Sequence, residues 1–421
     1  MFRWTMAALA GAALLCSGQA SADAAKGGDK VTRDQAVARA LAASFALKSR
    51  EELVAGADAG VRQGGVLPNP EVNVELENIA GSGAFQNLDQ SELTVGIEQR
   101  IERGGKRSGR VAVAAAERDL AETERDKTRF DAVLEARRAF YDVCAAQVAL
   151  RLHKSALDNA TQLEAMARRR VAAARDPVTV RLRAEIQTAT ARGHHERAGR
   201  TLEAAKKKLA NLWGTPDVAF QADETDFLAI PEQDIASDAA ASPVLRAREA
   251  AVRRAAAKIE LEEANAGADI SVGLGIRRFE VGGDVAGVLS LSMPIALWDS
   301  NQANIERAAA ERRAADLDAL EAKRIAEDEV LTLKTDAKNA SAEATALRKE
   351  LLPRAEESLR AARRGYQLGA FSYLEVSESM RTLQELRVRE VDVLRTLHVA
   401  RAALERYAGG LAEETVKGKE Q

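Results

Sequence analysis

A pair of short segments that alternate apolar and polar residues occurs twice in this chain, about 195 residues apart. Each copy runs into a very long stretch without a helix breaker. The first copy is Glu71–Glu77 with residues 93–98, and the 67 residues 110–176 that follow contain neither Gly nor Pro. The second is 269–276 with 285–293, followed by 58 residues, 295–352, equally free of both. Alternation with period two sets an apolar face against a polar face. An unbroken helix over 111–173 would be a rod about 95 Å long at 1.5 Å per residue.

Composition agrees with rods. Of the 421 residues only 4% are aromatic while 30% are charged, which is a long-helix composition. The net charge is −3, or −4 without the segment that bears Arg3, and this argues against a generally basic nucleic-acid binder. At the N-terminus Arg3 precedes an apolar run from Met6 to Leu15 and then Ala20-Ser21-Ala22, so residues 1–22 read as a signal peptide. Cys16 follows Leu15, where a lipoprotein cleavage site favours a small residue, so a lipidated Cys16 is the alternative to this cleavage. Cys144 is then the one remaining cysteine, which excludes an intramolecular disulfide and suits a small packed side chain. No later segment holds the ~18 apolar residues of a spanning helix, so an exported chain of this kind is soluble or a β-barrel.

Residues 31–63 read as one helix with Thr32 as N-cap and Ala36, Val37, Ala40, Leu41 and Phe45 as its apolar positions, ending at Gly64-Gly65. Leu67-Pro68-Asn69-Pro70 then forces extended backbone. In the strands that follow, Val72, Val74 and Leu76 alternate with Asn73, Glu75 and Glu77, and Leu93, Val95 and Ile97 with Thr94, Gly96 and Glu98. The second copy sets Ile270, Val272, Leu274, Ile276, Leu289, Leu291 and Met293 against Ser, Gly and Ser positions. A soluble sheet would pack the apolar face on a helix; a membrane barrel would turn it to lipid and its polar face to a wet lumen. Uncompensated Glu75, Glu77 and Glu98 on the polar face favour the barrel. Four strands cannot close a pore, so several chains must share it.

Both rods are followed by a turn and a returning helix, at Ala174-Arg175-Asp176-Pro177 and at Leu368-Gly369-Ala370-Phe371-Ser372. In the last helix Met380, Leu383, Leu386, Leu394, Leu397 and Leu404 keep coiled-coil spacing. Pro353 is expected to kink or split the second rod. An offset of 195 superposes Arg168-Arg169 on Arg363-Arg364, Val171 on Tyr366 and Gly214 on Gly409, as an internal duplication would. The expected divisions after the signal peptide are an N-terminal equatorial helix region 23–66, a first repeat 67–214 and a connector 215–243, then a second repeat 244–410 and a flexible tail 411–421. Within the first repeat, strands are expected near 70–78 and 91–101 and a helical hairpin near 106–213. The second should hold a helix near 243–266, strands near 268–279 and 285–294 and a hairpin near 300–408.

This order of elements resembles the TolC-type outer-membrane efflux proteins. Three segments are similar to the cobalt-zinc-cadmium resistance branch: Leu67-Pro68-Asn69-Pro70 with Glu75-Leu76-Glu77-Asn78, Gly104-Gly105-Lys106-Arg107, and Pro294-Ile295-Ala296-Leu297-Trp298-Asp299-Ser300-Asn301-Gln302. The resemblance implies a fold that is mainly α with membrane β: a homotrimer whose protomers each give four strands to one twelve-stranded barrel, continued by a long helical tunnel. It further implies an outer-membrane channel reaching into the periplasm, surrounded by outer-membrane lipid. The partners would be a periplasmic adaptor protein and an inner-membrane proton-driven pump of the resistance-nodulation-division class, the cargo divalent heavy-metal cations, and no cofactor would be needed. A duct for drugs or a secreted polypeptide is the alternative within the family. From another class, a periplasmic adaptor or structural coiled-coil protein would show one hairpin, not two.

Glu375 and Glu378 lie three apart just after the second turn and share a helix face. They match the paired acids that narrow the periplasmic aperture in TolC-type channels, and three copies would crowd six carboxylates, raising some pKa values. Arg181 and Arg183 occupy the corresponding tip of the other half and could pair with these acids as a latch. Gly104, Gly105, Pro294 and Asp299 mark the barrel-to-helix joints, with Asp299 or Ser300 as helix cap and Lys106 and Arg107 solvated. His194-His195, with His153 and His398, gives no chelating spacing, so no metal site is assigned. The chain carries no phosphate loop, Gly-x-Ser-x-Gly, His-Glu-x-x-His or Cys pair, hence no enzyme signature.

Overall fold

The computed structural model describes residues 30–232 and 234–408; the signal-peptide and C-terminal-tail expectations, and Gly409, lie outside the described residues. Strand β1 (Lys30–Val31) leads to α1 (Arg33–Ala43) and α2 (Phe45–Gly64). Thr32 caps α1 in a capping box with Gln35. The expected single helix over 31–63 is broken at Ser44, whose backbone is extended (φ −66°, ψ 106°) and whose hydroxyl accepts from the Leu47 N–H to start α2. A serine that caps one helix ends the one before it.

After α2 come β2 (Glu71–Glu77) and β3 (Glu92–Ile101), then α3 (Lys106–Ala172) and its return α4 (Val178–Leu212). A connector holds β4 (Gln221–Ala222) and α5 (Thr225–Leu228); β4 pairs in parallel with β1 and ties the start of the chain to the middle. The second half repeats the order: α6 (Pro243–Asn265), β5 (Ile270–Phe279), β6 (Val285–Ser292), α7 (Gln302–Ala346), α8 (Leu352–Leu368) and α9 (Tyr373–Glu405). The 67 residues of α3 make a rod of about 100 Å at 1.5 Å per residue.

Pro353 divides the second rod as expected. A proline cannot donate to the carbonyl four residues back, and a π-helical turn at Leu347–Leu351 precedes it, with the Leu352 N–H reaching Leu347 O. At the first joint between sheet and rod, Gly104 and Gly105 take φ +71° and +82°, which side-chain-bearing residues rarely adopt. Lys106, expected to be solvated, instead pairs with Asp269 at 2.7 Å and staples the start of α3 to the start of β5. At the second joint the cap is Asn301, in the left-handed region, not Asp299 or Ser300. The Asp299 carboxylate accepts from the Asn301 N–H at 2.8 Å, and the Asn301 amide donates to Glu262 O at 2.7 Å, pinning the joint to α6.

Two buried clusters hold the rods together. One surrounds Phe140, Tyr141, Leu209, Phe227, Leu394 and Leu397 at the level of the connector. The other joins Leu163, Leu359, Tyr366, Tyr373, Met380 and Leu383 near the hairpin tips. Of the seam positions in α9, Met380, Leu383, Leu394, Leu397 and Leu404 are buried and Leu386 packs against both clusters.

Strands β2, β3, β5 and β6 form one antiparallel sheet in the order β2-β3-β5-β6. Its apolar face is bare: Val72, Val74, Leu76, Leu93, Val95, Ile97, Leu274, Ile276, Leu289 and Leu291 are all exposed. A soluble sheet would have covered this face with a helix, since apolar area left in water forgoes about 25 cal/mol per Å².

Candidate functional site

Two places on the protomer carry chemistry suited to a conduit: the polar face of the sheet and the tips of the two helical hairpins. On the sheet, register sets Glu71 opposite Glu98, Glu75 opposite Thr94 and Glu77 opposite Glu92. Directly opposed like charges repel, and Arg277 from β5 relieves one pair. Its guanidinium lies 2.8 Å from Glu77 and 2.9 Å from Glu92 and donates to the Thr94 hydroxyl at 2.8 Å. Glu77 is therefore compensated, contrary to the expectation of three uncompensated acids. Glu98 accepts from the Asn73 amide at 3.3 Å, and Glu75 has no ion pair among the described residues. Gly96, Gly273 and Gly275 leave the middle of this polar face without side chains.

At the tips, Ser372 starts α9 in a capping box with Glu375: the Ser372 amide and hydroxyl donate to the Glu375 carboxylate at 2.6 and 2.9 Å. The backbone bond first, then the hydroxyl, holds this carboxyl below its usual range. In the single chain that is the reverse of the upward shift expected from crowding. Glu378 pairs with Arg381 on its own helix, and Glu375 and Glu378 flank one shallow pocket with Phe371 and Leu374. Within the protomer the expected latch does not form. Arg181 reaches Glu185 at 3.8 Å, and Arg183 lines the groove that Glu378 also borders without a described ion pair to it.

The hairpins are joined instead by residues that the sequence reading passed over. Arg170, near the end of α3, pairs with Asp176 at 2.8 Å and donates to Tyr366 O at 2.7 Å. The Tyr366 hydroxyl donates to the same Asp176 carboxylate at 2.7 Å, and the Arg170 guanidinium lies 4.5 Å from the Tyr366 ring centroid. Arg170 first, and Tyr366 after it, lower the Asp176 pKa; burial foremost, then the bond to Asp176, raises that of Tyr366. Tyr373 adds a second tie, donating to Gln187 at 2.6 Å. Gly365 lets the Phe371 ring come within 2.3 Å of where a Cβ would stand, which closes the α8–α9 turn. The one signal in the sequence was asymmetry: the repeat offset puts Tyr366 where the first half has Val171.

His153 and His194 stack at 5.8 Å between α3 and α4, but among the described residues no three His, Cys, Asp or Glu side chains converge to hold a metal ion. No described helix is long and apolar enough to cross a membrane.

Residues 36–215 and 236–410 match the outer membrane efflux protein family. The chain is 28% identical to the cobalt-zinc-cadmium resistance protein CzcC of Cupriavidus metallidurans, over 90% of each chain. It is also 28% identical to the nickel and cobalt resistance protein CnrC of the same organism, over 66% of this chain and 65% of that one. Among solved structures, CusC, described with its transmembrane channel formation, superposes with a TM-score of 0.75 at 20% identity, over 90% of this chain and 92% of that chain.

Proposed function

The chain belongs to the outer membrane efflux protein family, and from that membership we propose that it is the outer-membrane duct of a tripartite efflux system that exports divalent heavy-metal cations. Channels of this family form trimers and work with an adaptor and an inner-membrane pump. For this chain the reading is a homotrimer embedded in outer-membrane lipid, with three sheets closing one twelve-stranded barrel. A periplasmic adaptor would couple it to a proton-driven resistance-nodulation-division pump. The divisions into two repeats, a connector and a tail follow from the same reading.

The observation that carries it is the two-faced sheet: an exposed apolar face backed by a polar face with Glu71, Glu75, Glu77, Glu92 and Glu98 against Arg277 and Arg100. An acid-lined lumen attracts cations and repels anions. Export needs no catalyst in this chain, because the pump supplies the energy. The names of CzcC and CnrC, both metal-resistance proteins, support the cargo over drugs or a polypeptide. Glu375 and Glu378, three apart in the first two turns of α9, are proposed to ring the periplasmic aperture.

Deletion of the gene should sensitise cells to zinc, cobalt or cadmium, and the purified protein should give cation-selective conductance in planar bilayers. A protein recovered soluble in the periplasmic fraction would end the channel reading. Replacing both tip acids (Glu375→Ala with Glu378→Ala) should lower the cation preference; unchanged selectivity would remove them from the aperture.

A further inference from the structure

His153 and His194 come from different helices, yet the fold sets their rings face to face between α3 and α4, 5.8 Å between centres and 15° from parallel. Neither imidazole makes a hydrogen bond among the described residues. Two touching rings thus offer four nitrogens that no protein group engages. His153 is half-buried and His194 exposed, and both line the groove of about 980 Å³ that α9 borders with Leu374, Met380 and Leu383. We infer that His153 and His194 form a binding site for a divalent transition-metal ion of the zinc, nickel or copper type, which staples α3 to α4 when it is bound.

The spacing suits a bridge. A metal ion held at about 2.1 Å by one nitrogen of each ring lies about 3.3 Å from each ring centre, so the centres of a bridged pair are at most ~6.6 Å apart. The observed 5.8 Å falls inside that limit, and each ring has two χ angles with which to turn a nitrogen inward. His195 does not complete the pair, because neighbours on a helix point about 100° apart. Spacing along one helix, the criterion that ruled out His194-His195, says nothing about a ligand supplied by the next helix.

Ligand chemistry selects the ion. Calcium and magnesium need a shell of oxygen ligands, and on this groove Glu378 and Glu385 are both paired with Arg381. Imidazole nitrogen suits zinc, copper and nickel. Among the described residues no third His, Cys, Asp or Glu converges on the pair, so water fills the other positions and the ion exchanges more readily than from a four-ligand site. The level gives the bridge its effect. No buried residue of α3 stands between Val148, in the cluster at the connector, and Ala160, in the cluster near the tips. In α4 none stands between Thr188 and Ala198. The two histidines thus sit where the α3–α4 seam is least packed, and the inference stands on this geometry and not on the cargo assigned to the duct.

The test uses full-length protein in detergent, free of any histidine tag, titrated with zinc sulfate in a calorimeter and with copper(II) in electron paramagnetic resonance. One zinc per protomer and nitrogen hyperfine splitting from two imidazoles are expected. Affinity should fall about tenfold or more in His153→Gln and in His194→Gln, and stay unchanged in His195→Gln. His194 is exposed, so its variant keeps the fold whatever becomes of the half-buried His153. Zinc should also slow amide exchange around residues 150–156 and 191–197 in the wild type and not in His194→Gln; binding without that slowing overturns the staple. No saturable zinc binding, binding that His194→Gln leaves intact, or an equal loss in His195→Gln overturns the site. Each of these results leaves the duct reading untouched, since bilayer conductance decides that separately.

Discussion

Arg170, Asp176 and Tyr366 fasten the tip of one helical hairpin to the other through a single carboxylate. Both Arg170 and Asp176 are largely shielded from water, and a hydrogen bond to a charged group is worth about 1.5–3 kcal/mol. Tyr366→Phe deletes the Tyr366 share alone, so amide exchange across residues 365–376 should accelerate while exchange at the connector stays unchanged; equal rates at the tip would show that the bond is not limiting. His398 offers a second residue-level test. Its Nε2 lies 2.9 Å from Phe227 O and 3.2 Å from Ala229 O and its ring stacks on Tyr141 at 5.0 Å, so α9 holds the connector through it. Desolvation, foremost, lowers its pKa despite those two bonds. The unfolded chain then takes up a proton that the folded chain refuses. Stability is constant above the unfolded value of about 6.5 and falls as pH drops below it, levelling off below the folded pKa. Thermal unfolding from pH 8 to pH 5 should show this loss, and His398→Gln should reduce it, leaving the share of His153, whose pKa burial also lowers.

The rods are held by their seams. Leu394 and Leu397 are both nearly inaccessible in the cluster where α3, α7, α9 and the connector meet, so Leu394→Ala should cost about 2–5 kcal/mol by loss of transfer energy and a residual cavity. Denaturant unfolding measures it; Leu386→Ala, at a half-covered seam position, should cost less. This seam was legible in the sequence because period 3.5 is a short-range signal, and the strands and the Pro353 break were legible for the same reason. What escaped the sequence depends on one side chain's choice or on distant partners. Ser44 could have stayed helical had its hydroxyl not capped α2. Lys106 finds Asp269 across 163 positions, and Tyr366 finds Asp176 across 190. Arg277 reads locally as one more charge on a strand, and its role appears only once register brings Glu77 and Glu92 beside it. At the tip the repeat offset gave only a mismatch, Tyr366 on Val171, which shows that one half alone carries the hydroxyl but not that it reaches Asp176.

On the scale of the whole protomer, two things remain unpaired: the apolar face of the sheet and the outer edges of β2 and β6. Lipid answers the first need and worsens the second, because an open backbone edge in hydrocarbon leaves N–H and C=O groups without water. The sheet therefore enters the membrane only with its edges joined to other sheets, so insertion and assembly are one event. A charge placed on the lipid side should block both, whereas the same charge on the lumen side should be hydrated and tolerated. Leu291 and Ser292 are neighbours on β6 with opposite parity, both exposed in the protomer. Arginine on the lipid side of such a barrel costs about 2–4 kcal/mol near the midplane and less toward the interface. Leu291→Arg should accordingly deplete the heat-modifiable oligomer in the outer-membrane fraction, and Ser292→Arg should leave it near the wild-type amount while reducing cation selectivity. Equal depletion by both would mean that the two faces of the sheet do not meet lipid and water as assigned.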